Sequence, residues 1–188
     1  MKKIIGFLGS PHVEGNTGIM VREALRGAAS RGASTKLVVL NELNAKGCQG
    51  CMGCQGNGGH CVVKDDITPL LEEIYEADGV VLGTPVYMWQ MTAQLKTLID
   101  RFFCYLDVKG GYTTHLGAGK RTVLVVAQNN ANPDSFKVYL ESTRDMLGFL
   151  GFPVEKLVHA WGVAAPGDVK SQPEPLRAAF EAGAALAR

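Results

Sequence analysis

The sequence predicts an α/β fold in a single domain, with parallel strands forming one sheet and helices covering both of its faces. Three observations carry this. Short apolar runs alternate with stretches of helical periodicity along the chain, the pattern of strands joined by right-handed crossovers. At 188 residues the chain is long enough for one well-buried core and too short for two ordinary domains, so residues 1–188 read as one unit without internal repeat or linker. The polar loops fall after the strands, at the carboxyl edge where open α/β sheets bind ligands.

Taken in order, Ile4, Ile5, Phe7 and Leu8 form the first strand. A polar turn then leads into a helix over 16–31, with Met20, Val21, Ala24, Leu25 and Ala28 on one face and Gly32 as its stop. Residues 35–40 read as the second strand. The stretch 41–63 has no periodicity but holds four cysteines and six glycines, and is too long to be idle in a compact domain. Asp65 or Asp66 caps a second helix with the stripe Ile67, Leu70, Leu71 and Ile74. Residues 79–86 are a short apolar run bounded by Asp78 and the Thr84-Pro85 pair, which fits a buried parallel strand. A third helix carries Leu95, Leu98, Ile99, Phe102 and Leu106, and 107–119 is a Gly-rich surface excursion whose Tyr112 and His115 shape either a pocket or a plain loop. Residues 122–127 form a fourth buried strand. Asn132-Pro133-Asp134 opens a helix with Phe136, Tyr139, Leu140, Thr143, Leu147 and Leu150 on one face, ended by Gly151 and Pro153. Glu155 and Lys156 among apolar residues make 154–160 an edge strand, and Ser171-Gln172-Pro173-Glu174 has the form of a capping box for the last helix.

The totals exclude several function classes. Hydrophobic residues at 46% and charged residues at 20% suit a globular protein, while 23 glycines exceed the usual share of about 7%, so many backbone positions need freedom or close approach. A net charge of +1 without a basic run removes the footprint of a nucleic-acid binder. The apolar run after Met1-Lys2-Lys3 is too short for a secretory leader, and no stretch approaches a membrane span. The expected location is cytoplasmic, where thiols stay reduced, so the five cysteines read as ligands or redox groups rather than disulfides.

The turn Ser10-Pro11-His12-Val13-Glu14-Gly15-Asn16-Thr17 joins the first strand to the first helix. Its hydroxyl and amide side chains, and the free N–H groups of a helix N-terminus, suit a phosphate. It is neither G-x-x-x-x-G-K-[ST] nor G-x-G-x-x-G, and it lacks the lysine of nucleotide triphosphate loops. Thr84-Pro85-Val86-Tyr87-Met88-Trp89 leaves the third strand at the same edge, with exposed amides and two aromatic rings, and Gln128-Asn129-Asn130 follows the fourth.

Gly9-Ser10-Pro11 with Gly15-Asn16-Thr17, Ala77-Asp78-Gly79 followed by Thr84-Pro85-Val86-Tyr87, and Leu95-Lys96 with Asp100-Arg101 resemble the NADPH-dependent FMN reductase family over roughly residues 3 to 130. The resemblance implies a flavodoxin-like three-layer α/β/α sandwich with a five-stranded parallel sheet in the order 2-1-3-4-5, bound FMN, and an oligomer. On this reading Ser10, His12, Gly15, Asn16 and Thr17 hold the phosphate. Pro85, Val86, Tyr87, Met88 and Trp89 hold the ring, and Gln128, Asn129 and Asn130 its edge or the ribityl chain. The family often has arginine where this chain has His12, so FMN affinity is expected to vary with protonation of that imidazole.

Cys48, Cys51, Cys54 and Cys61 form C-x2-C-x2-C-x6-C in a Gly-rich loop, and four such cysteines match one 4Fe-4S cube. Zinc is a rival, although structural zinc sites usually pair one C-x2-C with a more distant pair. His60 in place of Cys61, a redox-active thiol pair, and metal-free thiols are further alternatives. Cys104 reads as a core residue. With this loop after the second strand, the chain resembles the iron-sulfur flavoprotein branch of the same family. That resemblance implies electron transfer between a 4Fe-4S cluster and FMN in a homodimer or homotetramer.

The leading expectation is therefore an FMN-dependent electron-transfer oxidoreductase. A small-molecule donor or acceptor such as NAD(P)H, or the protein ferredoxin, serves it, and no nucleic acid or membrane takes part. No side chain is needed as acid or base, because the flavin accepts hydride directly, so no catalytic residue is assigned. A cluster-free NAD(P)H-dependent FMN or quinone reductase, a flavodoxin-type carrier and a zinc-binding interaction module stand as rivals. The carrier reading sits poorly with near-neutral charge, since such carriers are usually acidic.

Overall fold

The computed structural model describes all 188 residues, Met1–Arg188. Its main sheet comprises β1 (Lys3–Leu8), β2 (Ser34–Val39), β3 (Gly79–Pro85), β4 (Arg121–Ala127) and β5 (Val154–Ala160). All pairings are parallel and the order is β2-β1-β3-β4-β5, the flavodoxin-like arrangement. The helices are α1 (Asn16–Ala29), α2 (Ile67–Glu76), α3 (Ala93–Arg101), α4 (Lys137–Phe149) and α5 (Pro173–Leu186).

The unbroken apolar run of β1 divides between two cores because successive side chains point to opposite faces. Ile5 and Phe7 join the core beneath α2, α3 and α4, whereas Ile4 and Leu8 join the one beneath α1 and α5. Gly6 and Gly83 let α1 lie close on the sheet: a Cβ at Gly83 would stand 2.2 Å from Val21 Cγ2. Where α1 and α5 cross, backbone meets backbone, and a Cβ at Gly183 would fall 1.7 Å from the Ala24 carbonyl. Alanine gains about 1 kcal/mol of helix propensity over glycine, but overpacking costs up to about 3 kcal/mol where neither backbone can yield. Gly183→Ala is therefore expected to lower stability by about 2 kcal/mol. A urea midpoint at or above that of the parent would refute the crossing as described.

Several elements depart from their sequence expectations. The stripe expected to keep α3 helical to Leu106 ends at Arg101. Phe102–Tyr105 tighten into a 3-10 turn, and Leu106–Asp107 pairs with Thr113–Thr114 as a small hairpin within the Gly-rich excursion. Spacing by three sends Phe102 and Tyr105 to the same side, both fully buried, with Phe102 stacked on Phe152 at 4.3 Å. α1 stops at Ala29, two residues early, before Gly32 turns with φ +83°. Asn132 accepts from the Asp134 amide to open a 3-10 turn, so Phe136 precedes α4 rather than lying on it.

The capping box is not formed. Ser171 lies in a 3-10 turn and its hydroxyl donates to the Asp168 carbonyl, while Gln172 flanks α5 and Pro173 begins it without an N–H to cap. Of the two aspartates before α2, Asp65 caps, accepting from the amides of Ile67 and Thr68, while Asp66 accepts from the Asn44 amide.

Candidate functional site

The loops after β1, β3 and β4 converge at the carboxyl edge of the sheet around a cavity of about 240 Å³. Ser10 and Thr17 are buried there, and His12 lies at the exposed rim. Ser10 Oγ accepts from the His12 amide at 3.1 Å, which folds the turn onto itself. Gly15 flanks α1 without any side-chain cap, and the first turn carries no acidic residue, so the positive end of the helix faces the cavity uncompensated. At Gly18 a Cβ would lie 2.0 Å from the Val13 carbonyl, so the turn passes the helix too closely for any other residue. Thr92, which caps α3, locks the neighbourhood: its hydroxyl donates to the Gly9 carbonyl at 2.8 Å and its amide donates to Thr84 Oγ1 at 3.0 Å.

Nine of the expected cofactor residues line this cavity: Ser10, His12, Gly15, Asn16 and Thr17 from the turn, Pro85, Val86 and Tyr87 after β3, and Asn129 after β4. Four do not. Tyr87 and Gln90 exchange backbone hydrogen bonds across a two-residue turn that forces Met88 and Trp89 to φ 44° and 66°. Such turns favour Asn-Gly, and each L-residue held left-handed costs about 1 kcal/mol. The reversal throws both side chains outward; Met88 is 82% exposed, and Trp89 meets Phe136 edge-on instead.

Gln128 is buried and its amide is consumed internally, donating to the carbonyls of Asn130 and Asn132 and accepting from His159 Nε2 at 2.8 Å. Burial holds the His159 pKa below its ordinary value, so the ring is neutral with Nε2 as donor. Asn130 turns its side chain back to the Asn132 amide.

Ala127, Val163, Ala164 and Pro166 line the cavity without having been anticipated. The strand-end rule that selected three loops would have reached the last three, since they follow β5. Asn16 ties that fourth loop to the first, donating to the Ala165 carbonyl and accepting from the Val169 amide. Tyr112 and His115 lie outside the cavity, with His115 packed near Gly59.

The cysteine loop follows β2 and packs Cys54 and Cys61 against the core beneath α2, α3 and α4. Cys48 and Cys51 are exposed, Cys54 is buried, and Cys61 is half-buried, all as free thiols. His60 is held by Glu72 at 2.7 Å. As the loop is folded, no three Cys, His or acidic side chains stand close enough together to hold a metal. The four thiols are thus not gathered into one site. The amides from Gly47 to Cys51 donate to no protein group, and Gly50 and Met52 turn left-handed, so backbone donors flank the two surface thiols.

The neck of this loop is closed by a buried ion pair, Arg101 to Asp65 at 2.7 Å, and Asp65 also accepts from the Lys46 amide. Burial alone would raise the Asp65 pKa, but the hydrogen bonds from Arg101 and from the Lys46 and Thr68 amides hold it below the ordinary value. A pKa lower in the folded than in the unfolded state stabilises the fold fully above the ordinary aspartate range, about 3.9, and that stabilisation is lost as pH falls through the depressed value. Asp65→Asn is expected to cost about 3 kcal/mol at neutral pH, because it strands a buried guanidinium. The gap from the parent should shrink as urea midpoints are followed from pH 7 into acid; a gap independent of pH would refute the assignment.

A family model described as NADPH-dependent FMN reductase matches residues 2–156. An iron-sulfur flavoprotein of Archaeoglobus fulgidus is 32% identical over 185 residues, covering 98% of this chain and 79% of that protein. One from Methanocaldococcus jannaschii is 44% identical over 101 residues, but the match spans only 53% of this chain and 51% of that protein. An FMN-dependent NADH:quinone oxidoreductase of Methylorubrum extorquens is 31% identical over 125 residues, covering 62% of this chain and 61% of its own length. Among solved structures, an FMN-dependent NADH-azoreductase from Bacillus anthracis in complex with FMN superposes over 100% of both chains with TM-score 0.74 at 16% identity, a likeness of fold.

Proposed function

The chain belongs to the NADPH-dependent FMN reductase family, and from that premise we propose that it is a flavin-dependent oxidoreductase passing electrons between bound FMN and a 4Fe-4S cluster. The observation that carries the flavin half is the uncapped α1 N-terminus opening, with the Ser10 and Thr17 hydroxyls, into the same cavity as Pro85, Tyr87 and Asn129. Ser10, Thr17 and the first-turn amides of α1 bind the phosphate, with His12 closing the rim. Asn16 holds the fourth loop in place and so shapes the wall. A volume of about 240 Å³ suits the phosphate and chain end, which leaves the ring on the shelf of residues 85–87 at the mouth, open to a small-molecule partner. Gln128 and His159 act from beneath, setting the path of the β4 loop that carries Asn129.

Cys48, Cys51, Cys54 and Cys61 would hold the cluster, with loop amides donating to its sulfurs. When bound, FMN supplies exchange of one or two electrons and the cluster exchange of one at a time. NAD(P)H or ferredoxin as donor, and a homodimer or homotetramer as the assembly, belong to the same proposal. No helix is long and apolar enough to cross a membrane.

The second reading, a cluster-free NAD(P)H-dependent FMN or quinone reductase, is favoured by the open arrangement of the thiols. Anaerobic purification followed by absorption spectra and assays of FMN, iron, zinc and sulfide separates the two. Stoichiometric FMN with about four irons per chain, and a paramagnetic signal on reduction, is the expected result. Yellow, iron-free protein that oxidises NAD(P)H would leave the second reading. Failure to oxidise NAD(P)H, with fast exchange with a protein partner, would favour a flavodoxin-type carrier. Colourless protein with bound zinc would overturn the flavin reading.

A further inference from the structure

A phosphate monoester carries close to two negative charges at neutral pH, yet no lysine or arginine lines the cavity that would receive it. The turn 10–17 itself adds a further negative charge at Glu14. Arg22, in the second turn of α1, answers both from outside the cavity. Its Nη1 donates to the Val13 carbonyl at 2.9 Å and its Nη2 to Glu14 Oε1 at 2.6 Å, so one guanidinium fork grips two consecutive residues at the middle of the turn.

The grip depends on a bare stretch of helix beside it. Gly18 lies one helical turn before Arg22 on the same face of α1, and a Cβ there would stand 3.3 Å from Arg22 Nη1 as well as 2.0 Å from the Val13 carbonyl. The rest of the turn is held at its ends, where the His12 amide donates to Ser10 Oγ at 3.1 Å and the Gly15 amide to the His12 carbonyl at 3.0 Å. Val13 and Glu14 make no hydrogen bond except to Arg22. The Arg22 side chain is 35% exposed and that of Glu14 84%, and an ion pair so open to water adds little to folding stability. What the fork fixes is the path of the turn and the balance of its charge.

We propose that Arg22 is a positioning residue that makes this turn select a flavin bearing a phosphate over the bare flavin, by pinning Val13 and cancelling the charge of Glu14 without itself lining the cavity. The inference rests on the flavin reading above and is independent of the cysteine loop. Without the fork, Glu14 opposes the incoming phosphate, and the segment between Ser10 and Thr17 loses the one contact that fixes its middle. The cost falls on the phosphate alone, because the shelf of residues 85–87 lies on another loop.

The test is fluorescence titration of full-length, flavin-free protein with FMN and, separately, with riboflavin, for the parent, Arg22→Gln and Arg22→Lys, beside thermal melts without flavin. Arg22→Gln removes the charge and is expected to weaken FMN binding about tenfold, since a charged hydrogen-bonding group is lost. Riboflavin affinity should stay within about twofold of the parent's and the melting temperature should not move, because the pair is exposed. Arg22→Lys keeps the charge beside Glu14 but not the planar fork, so its FMN affinity is expected to fall between those of the parent and Arg22→Gln. FMN affinity of Arg22→Gln within about twofold of the parent's, or equal losses for FMN and riboflavin, overturns the inference and leaves the flavin reading standing. A parent that binds both flavins equally well overturns the inference together with the assignment of the turn to phosphate. A parent that binds neither flavin overturns the flavin reading itself.

Discussion

Replacing Gly18 by alanine is expected to weaken FMN binding by about two orders of magnitude, about 2.7 kcal/mol. Local propensity argues the other way, because alanine is the better helix former by up to about 1 kcal/mol. The contact decides the sign. The added Cβ would stand 2.0 Å from the Val13 carbonyl oxygen, where ordinary contact begins near 3.4 Å. That carbonyl already accepts from Arg22 at 2.9 Å, so it cannot swing away without breaking a second bond. The turn 10–17 must therefore shift as a whole, by roughly 1 Å, which is enough to misalign hydroxyls and amides aimed at one phosphate. Fluorescence titration with FMN gives the affinity, and a melt of the flavin-free protein tests whether the damage is local. An affinity within threefold of the parent would show that the phosphate is held elsewhere.

Serine in place of Cys48, Cys51, Cys54 or Cys61 is expected to remove most of the iron while leaving one FMN per chain, because the thiols lie outside the flavin cavity. Stability should separate the four. Cys48 and Cys51 are exposed, so in iron-free protein their replacement should not move the melting temperature. Cys54 belongs to the core beneath α2 and α3 with 7% exposure, and a hydroxyl there lacks the fit of sulfur and costs about 1–2 kcal/mol. Iron and sulfide assays beside thermal melts read both effects. Equal iron in the parent and all four variants would eliminate these cysteines as ligands.

Much of this protein was readable from its residue string. Strand runs, helix stripes and the polar turn after β1 are local patterns with periods of two and 3.6 residues, and each survives in the fold to within a few residues. The nine residues that reach the cavity were found because strands in such a sheet end on one edge. The four expected residues that lie off the cavity do so for a common reason. Met88 and Trp89 look like ring-stacking groups until the backbone reversal between Tyr87 and Gln90 turns them outward. Gln128 looks like a ligand until His159, 31 residues away, claims its oxygen.

The order of apolar and polar residues was thus sufficient for the parallel sheet, its helical cover and the edge at which a ligand would sit, since those follow from side-chain periodicity and chain connectivity. Assembly in three dimensions settled which polar groups stay free for a ligand and which are spent on the scaffold. Asn16 with Ala165, Gln128 with His159, and Arg101 with Lys46 and Asp65 are contacts between distant segments. A hydrogen bond closed across the fold removes a donor or acceptor from chemistry, and no spacing along the chain records that.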